Sequence, residues 1–287
     1  MLFTVAFAFT TAITLLLGTQ IFANPLPQDL PGGSPAQILH PKEHCVNTHS
    51  VIRDRFNPKD HYFVANAYTK PPPSTNLRRA HANYSFPIYD QGRTGSCTAN
   101  AVTAALWYEE NAGFRQSFWG TGGPSRLFVY WIARGAFKNN KHHNVFNATD
   151  HGAKTRNTVR GIAEVGVCLE FFWPFVNDTA IRMRVIVERP NLYGEAFEDE
   201  AKKRRDRVVN AKPTALAFDV AAQHKFAYYY RLDPGRPEDF DSPLDQVMKE
   251  QVGKTTLENL RNCLAEGFPV IFSFWFYQDI DIMFNQT

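Results

Sequence analysis

Cys97 is the residue of this sequence best suited to covalent chemistry. It lies in the segment PIYDQGRTGSCTAN, residues 87–100, directly after Gly95 and Ser96, and Gln91 lies a short distance before it. A cysteine attacks a carbonyl group only as a thiolate, and a free thiol is mostly protonated at neutral pH. The chemistry therefore needs surroundings that favour the anion, and hydrogen-bond donors for the negative oxygen that forms on the substrate.

The residues that follow Cys97 predict a helix that begins at the cysteine. Several alanines and Tyr108 recur at helical spacing, and the pattern ends at Gly113. The N–H groups at the start of a helix carry partial positive charge and stabilise a thiolate. The backbone amide of Cys97 and the side-chain amide of Gln91 are the candidate donors to the oxyanion. The alternative interpretation is a buried structural thiol beside a surface loop.

The rest of the chain predicts helices first and strands later. PSRLFVYWIARGA and TRNTVRGIAEVGV have apolar residues at helical spacing, and EFFWPF ends that pattern at Pro174. Residues 178–212 are charged and mainly helical or irregular. After residue 212 the sequence becomes strand-like in HKFAYYYRL and PVIFSFWFY, with a helix at TLENLRNCLAEG.

The string DQGRTGSCTANAV resembles the active-site segment of papain-like cysteine peptidases. SRLFVYWIAR, DHGAKTRNTVRGIAEVGVCLEFFWPF and LRNCLAEGFPVIFSF follow in the order expected of the divergent branch found in microbes and fungi. The resemblance covers residues from about 77 to 283. It implies that Cys97 is the nucleophile and Gln91 the oxyanion-hole donor. Two positions depart from the family pattern: Thr94 replaces a cysteine that many members pair in a disulfide, and Thr98 replaces the usual tryptophan.

The same resemblance implies the architecture. We expect an α+β, papain-like two-lobe fold in which residues 1–23 are a signal peptide, 24–80 an N-terminal arm and 81–287 the peptidase domain. The helical lobe would be complete, at about 81–178, and the β-barrel lobe incomplete, at about 211–287. A peptide or protein substrate would lie in the cleft between the lobes. No metal or cofactor is implied, and we expect a monomer.

The activating base is the missing part of this site. The family order is Cys, His, Asn, with the histidine ~130–150 residues after the nucleophile, and residues 225–287 contain no histidine. His224 precedes the segment PVIFSF, whereas the family's histidine follows it, so we interpret His224 as a histidine at a strand start. Loss of one member of a triad typically costs ~10⁴–10⁶ in rate. We therefore expect this chain to be nearly inactive because the sequence is truncated. The alternatives are a peptide-binding pseudoenzyme and a secreted interaction protein.

The amino terminus predicts secretion. Residues 2–17 are apolar or hydroxylic without a charge, and a short stretch ending in Ala23 precedes the helix-breaking NPLPQDLPGG. This pattern is typical of a secretory signal peptide. An uncleaved membrane anchor is the alternative, although the apolar run is short for a span of ~20 residues. Four glycosylation sequons agree with secretion, at Asn83, Asn147, Asn177 and Asn285.

Composition argues against a nucleic-acid-binding protein. The net charge is +3, and the one basic cluster, Lys202–Arg205, follows a run of acidic residues. We interpret that cluster as one face of a solvated helix. His142, His143 and the pair Asp150–His151 lack a regular ligand spacing, which favours a polar loop over a zinc site. With Cys97 free, the pairing of the other three cysteines stays open: Cys45, Cys168 and Cys263.

Overall fold

The computed structural model describes residues 3–6, 57, 59–65, 70–77, 88–112, 122–136, 150, 152–225, 229–233 and 246–273. The described residues are mostly helical, with few strands. The helices are α1 Cys97–Ala112, α2 Arg126–Trp131, α3 Thr155–Val165, α4 Asp178–Glu188, α5 Gly194–Asn210, α6 Ala215–Ala222 and α7 Gln246–Ala265. The strands are β1 Phe3–Ala6, β2 Tyr230–Arg231 and β3 Val270–Ser273, and a π-helical turn, Ile132–Ala136, continues α2.

Most of the predicted elements are present where the sequence indicated them. The helix that begins at Cys97, the two helices after it, the helix at TLENLRNCLAEG and the strand at VIFS are confirmed. Helix α6 was not predicted; the Thr214 side chain caps it by accepting a hydrogen bond from the Ala217 amide at 3.2 Å. Four alanines in eight residues then favour the helix over a strand.

Helix α2 is the centre of the hydrophobic core. Its side chains from Leu127 to Trp131 are all buried. Ser125 fixes the start of the helix, because its hydroxyl accepts from the Phe128 amide at 3.1 Å and donates to the Trp173 carbonyl at 2.6 Å. Side chains of α1, α3 and α6 pack around this helix in one cluster: Val102, Leu106, Val159, Ile162, Ala217 and Ala221. Burial of this apolar surface is what fixes α1, and with it Cys97.

The three strands form one sheet in the order β2-β1-β3, with antiparallel pairing on both sides of β1. The register pairs Phe3 with Ser273 and Val5 with Arg231. Strand β1 was not predicted, because its residues belong to the segment that the sequence indicates as a signal peptide. In the described part of the segment HKFAYYYRL, Tyr230 and Arg231 form a strand, whereas His224, Lys225 and Tyr229 do not.

The N-terminal arm is joined to β2 through both backbone and charged side chains. The Phe63 amide donates to the Arg231 carbonyl at 2.9 Å, and the Arg231 amide donates to the His61 carbonyl at 2.7 Å. Asp60 accepts from Arg156 of α3 at 2.6 Å and from Arg231 at 3.1 Å. Arg231 also pairs with Asp233 at 2.5 Å. The arm thus pairs its backbone with that of β2 and places the buried carboxylate of Asp60 beside Arg156 and Arg231.

This buried network keeps its charges. Burial alone would lower the pKa of Arg231, but the hydrogen bonds and negative charges of Asp233 and Asp60 more than reverse that effect and raise it. The Asp60 side chain is 1% exposed and that of Arg231 is 6% exposed. Ions removed from water are tolerated only when each is paired. Each member of the network therefore depends on the others.

Substitution of Asp60 tests this dependence. Asp60→Ala leaves two arginines without their shared carboxylate, and we expect the free energy of unfolding to fall by about 3–5 kcal/mol. The matched control is Arg160→Ala on α3, since the Arg160 and Glu164 side chains are 54% and 41% exposed. The control should cost less than about 1 kcal/mol. Urea denaturation measures both, and equal losses would contradict a structural role for the arm.

No helix formed by the described residues is long and apolar enough to cross a membrane.

Candidate active site

Cys97 is the first residue of α1, and its side chain is exposed. The carbonyl of Ser96 accepts the first helical hydrogen bond, from the Asn100 amide at 2.9 Å. The buried Ser96 hydroxyl also accepts from Asn100 Nδ2 at 2.9 Å. The N–H groups of the first helical turn have no partner within their helix. An exposed sulfur thus lies at the positive end of a helix whose start is well fixed.

The other described cysteines differ from Cys97. Cys168 and Cys263 are free and buried. Burial raises the pKa of each thiol to about 12, so both are protonated at neutral pH. Cys45 lies outside the described residues. Among the cysteines that the structure describes, Cys97 alone is accessible to a substrate.

Gln91 belongs to the turn that leads into α1, here named the 90–96 loop. The Gly92 amide donates to Asp90 Oδ1 at 2.8 Å, and the Thr94 amide donates to the Gln91 carbonyl at 3.2 Å. Gln91 Nε2 donates to the Thr94 carbonyl at 3.0 Å. A side-chain amide has two N–H donors, so one hydrogen of Gln91 Nε2 remains for another acceptor. The loop therefore presents Gln91 with its position set by the backbone of Thr94.

Arg126, at the start of α2, holds this loop from the core side. Its guanidinium donates to the Asp90 carbonyl at 3.5 Å, to Asn100 Oδ1 of α1 at 3.3 Å and to Glu170 Oε1 at 3.1 Å. The same guanidinium lies between two aromatic rings, 4.5 Å from the centre of Tyr89 and 4.2 Å from that of Phe175. One planar cation thus connects the loop to the first turn of α1.

Asp150 holds the other end of the loop, at Gly95. Its carboxylate oxygens accept from the Gly95 amide at 3.0 and 2.9 Å. Tyr130 Oη donates to Asp150 Oδ1 at 2.5 Å, and the Gly152 amide donates to Tyr130 Oη at 3.1 Å. Burial and the adjacent carboxylate raise the pKa of Tyr130, which keeps its hydroxyl a donor. Asp150 therefore has a hydrogen-bonding role in the site.

The histidines considered with Asp150 as metal ligands lie outside the described residues: His142, His143 and His151. Within the part of the chain that the structure describes, no group of three or more potential ligands is placed to hold a metal ion.

Helix α5 supplies countercharges to the same region. Arg205 lies 3.6 Å from Asp150 Oδ2 and 3.1 Å from Asp178 Oδ1, and its side chain is 14% exposed. Arg93 of the 90–96 loop pairs with Glu198 at 2.7 Å on the surface. The interpretation of Lys202–Arg205 as a solvated face is therefore wrong for Arg205. It faces inward because two carboxylates lie beneath it.

His224 lies two residues after the end of α6 and outside the strands that the structure describes. Its backbone amide donates to the Ala221 carbonyl at 2.9 Å, and its carbonyl accepts from the Val167 amide at 3.0 Å. Burial lowers the pKa of its imidazole. The prediction that His224 begins a strand is wrong, because His224 follows the end of α6 and strand β2 begins only at Tyr230. These contacts place its backbone beside α6 and the residues that follow α3.

Comparison with known proteins gives two similar proteins. An uncharacterized peptidase C1-like protein of Acanthamoeba polyphaga mimivirus is 28% identical over 185 residues, which are 64% of this chain and 43% of the relative. The chain resembles papain-like cysteine peptidases. This confirms the resemblance inferred from the sequence around Cys97. The chain spans less than half the length of this relative.

The solved structure of xylellain, a cysteine protease from Xylella fastidiosa, is 26% identical, with a TM-score of 0.48, and the match covers 76% of this chain and 63% of that chain. No family model matches the chain.

Sequence reasoning identified the papain-like segment but missed the residues that hold it. Arg126, Glu170 and Arg205 are distant from Cys97 in sequence, and no spacing pattern connects them to it. Asp150 was noticed only as a possible metal ligand. Its position directly before a glycine-containing segment was the one available signal of a loop contact.

Replacement of Arg126 tests how the loop is held. In Arg126→Ala we expect backbone amides of residues 92–96 to exchange with deuterium about tenfold faster, because the loop loses its link to α1 and α2. Arg93→Ala is the control: the Arg93 side chain is 61% exposed and that of Arg126 is 16% exposed. Its loss should change exchange by less than about threefold. Exchange mass spectrometry measures both, and similar rates in the two variants would contradict the anchoring role.

Proposed function

We propose that this chain belongs to a secreted papain-like cysteine peptidase that hydrolyses peptide bonds through a Cys97 thiolate. The observation that carries the proposal is the exposed sulfur at the first residue of α1, directly after the hydrogen-bonded 90–96 loop. The similarity to a peptidase C1-like protein supports the same reaction class. Substrate would bind in a cleft between a helical lobe, at about 81–178, and a β-rich lobe that begins at about 211.

The first half of the proposed reaction uses residues of this chain. Cys97 Sγ attacks the carbonyl carbon, the C–S bond forms, and the electron pair of the carbonyl moves to its oxygen. The Cys97 backbone amide and the free N–H of Gln91 Nε2 donate to that oxygen. One such donor typically contributes ~3 kcal/mol of transition-state stabilisation.

The second half of the reaction needs a proton for the leaving amine. In related triads an imidazole takes the thiol proton and later delivers it to that amine. The sequence contains no histidine after His224. We propose that this chain alone is nearly inactive toward peptides for that reason. A non-catalytic peptide-binding protein with the same cleft is the second candidate function.

Alkylation of the cysteines tests the thiolate. At pH 7, iodoacetamide should modify Cys97 at least about 100-fold faster than Cys168 or Cys263, whose thiols are buried and protonated. At pH 6, Cys97 should react about tenfold faster than N-acetylcysteine. Both thiols are exposed, but in the proposal only Cys97 has a thiolate stabilised by the partial positive charge at the start of a helix. Peptide mapping by mass spectrometry gives the rates. If Cys97 reacts no faster than N-acetylcysteine, the nucleophile assignment is wrong.

A peptide aldehyde separates the role of Gln91 from that of the missing base. Addition of the Cys97 thiol to the aldehyde gives a tetrahedral adduct, whose oxygen occupies the position of the oxyanion. Gln91→Ala should weaken aldehyde binding about 10–100-fold and leave iodoacetamide modification unchanged. Equal aldehyde affinity in both proteins contradicts a donor role for Gln91.

We also propose secretion, with cleavage near Ala23 and glycosylation at accessible sequons. Asn177 is exposed, and its Oδ1 caps α4 by accepting from the Ala180 amide at 2.8 Å. A glycan on Nδ2 leaves that acceptor in place. The proposal has a structural consequence, because β1 lies within residues 1–23 and cleavage would remove the strand between β2 and β3.

Expression of the full-length chain in eukaryotic cells tests this localisation. We expect secreted protein that begins near Asn24 and loses mass on glycosidase treatment. Thr179→Ala removes the sequon while retaining the Asn177 cap, so it should reduce the mass shift by one glycan. N-terminal sequencing and mass spectrometry are the measurements. Intracellular protein that retains Met1 would count against secretion. It would agree with β1 remaining in the mature protein as the central strand of the sheet.

A further inference from the structure

We propose that Asp150 is a positioning residue for the segment that carries Cys97, acting through the backbone of the 90–96 loop. The role is distinct from those of the nucleophile and the oxyanion donors, since the Asp150 carboxylate contacts the Gly95 amide. The inference rests on the proposed function for its chemical consequence. Its structural part, the hold on Gly95, stands on the hydrogen bonds alone.

The first observation is the number of groups that converge on one buried carboxylate. The Asp150 side chain is 7% exposed. It receives the Gly95 amide, the Tyr130 hydroxyl at 2.5 Å and the charge of Arg205 at 3.6 Å. A carboxylate with this many partners has a fixed orientation. Gly95 is therefore bound to a rigid group, although it belongs to a loop.

The second observation is the close approach of the two backbones. A Cβ atom added at Gly95 would lie 3.0 Å from Asp150 Oδ1 and 3.0 Å from the Gly152 amide nitrogen. Only a glycine lets the loop approach this closely without displacing Asp150 or Gly152. The glycine two residues before Cys97 is thus explained by the contact with Asp150.

The third observation is a second contact on the other side of Cys97. Thr98 Oγ1 donates to the Ala153 carbonyl at 2.9 Å. Asp150 and Ala153 belong to the same short stretch before α3, so that stretch holds the residues both before and after Cys97. The direction of the Cys97 backbone N–H, one of the proposed oxyanion donors, is thereby limited from both sides.

The test compares three variants of the full chain. Asp150→Ala removes the acceptor, whereas Asp150→Asn retains an oxygen that can accept from the Gly95 amide. Asp219→Ala, at an exposed position on α6, is the control for loss of a carboxylate. Two quantities are measured in folded protein: the hydrogen exchange rate of the Gly95 amide by NMR, and the rate of Cys97 modification by a peptidyl epoxide divided by that by iodoacetamide.

We expect Asp150→Ala to raise the Gly95 exchange rate about tenfold and to lower the epoxide-to-iodoacetamide ratio about tenfold. The epoxide must be oriented in the cleft, whereas iodoacetamide needs only an accessible thiolate. Asp150→Asn should stay within about threefold of the wild type in both measurements, and Asp219→Ala should not differ. A purely structural role would lower the melting temperature and leave the ratio unchanged, which overturns the proposal.

Two further outcomes remain decisive. If Asp150→Ala does not fold, Tyr130→Phe removes the hydroxyl that orients Asp150, and it should raise Gly95 exchange about threefold. No change in that variant overturns the proposal. If the epoxide fails to modify Cys97 even in the wild type, the proposed function fails, while the Gly95 exchange rates still decide whether Asp150 holds the loop.

Discussion

The ordering of the 90–96 loop is the constraint on which the candidate site depends. Fixing the backbone of each residue costs roughly 1–2 kcal/mol of conformational entropy, and this loop has few apolar side chains that offset the cost. Charged groups offset it instead, namely Arg126 and Asp150, which bind backbone atoms of the loop. Hydrogen bonds to charged groups contribute ~1.5–3 kcal/mol each. Cys97 is positioned only as well as this loop is held.

Helix α2 carries residues that act on both ends of the 90–96 loop. Arg126 and Tyr130 are four residues apart on α2, so their side chains leave the same face of the helix. Arg126 reaches Asp90 and Asn100, and Tyr130 reaches the carboxylate that binds Gly95. The helix itself is buried along its length, and packed interiors do not deform easily. One buried helix thus sets both ends of the loop, at Asp90 through Arg126 and at Gly95 through Tyr130 and Asp150.

Helix α5 adds a charge balance that packing alone does not supply. Arg205 pairs with two buried carboxylates, Asp150 and Asp178, of which Asp150 binds the Gly95 amide of the loop. On the surface, the hydrogen bonds and charges of Arg182 and Arg93 hold the pKa of Glu198 at about 2, so this bridge to the loop stays ionised. In the basic cluster of α5, Lys202 and Lys203 are therefore exposed to solvent, whereas Arg205 faces the candidate site.

The parts of this structure that depend on local periodicity could be read from the sequence. The helix from Cys97 and the helix at TRNTVRGIAEV follow from apolar spacing and end signals, and Gln91 and Cys97 come from a short contiguous segment. The roles of Arg126, Asp150 and Arg205 could not be predicted, because each depends on a contact between distant segments. Helix α6 was missed although its signals are local, because the Thr214 cap and four alanines in eight residues already favour a helix.

The arrangement separates the two halves of the proposed reaction. Attack on a carbonyl needs a thiolate and donors to the oxygen, and the residues proposed for both roles lie within 91–97. Collapse with cleavage needs a proton for the amine, because an amide anion leaves far less readily than a thiolate. The described imidazoles are His61, whose backbone pairs with β2, and His224, whose lowered pKa keeps it neutral. In the proposed reaction, addition to the carbonyl stays reversible until a proton reaches the leaving amine, so the supply of that proton decides between capture and hydrolysis of the peptide.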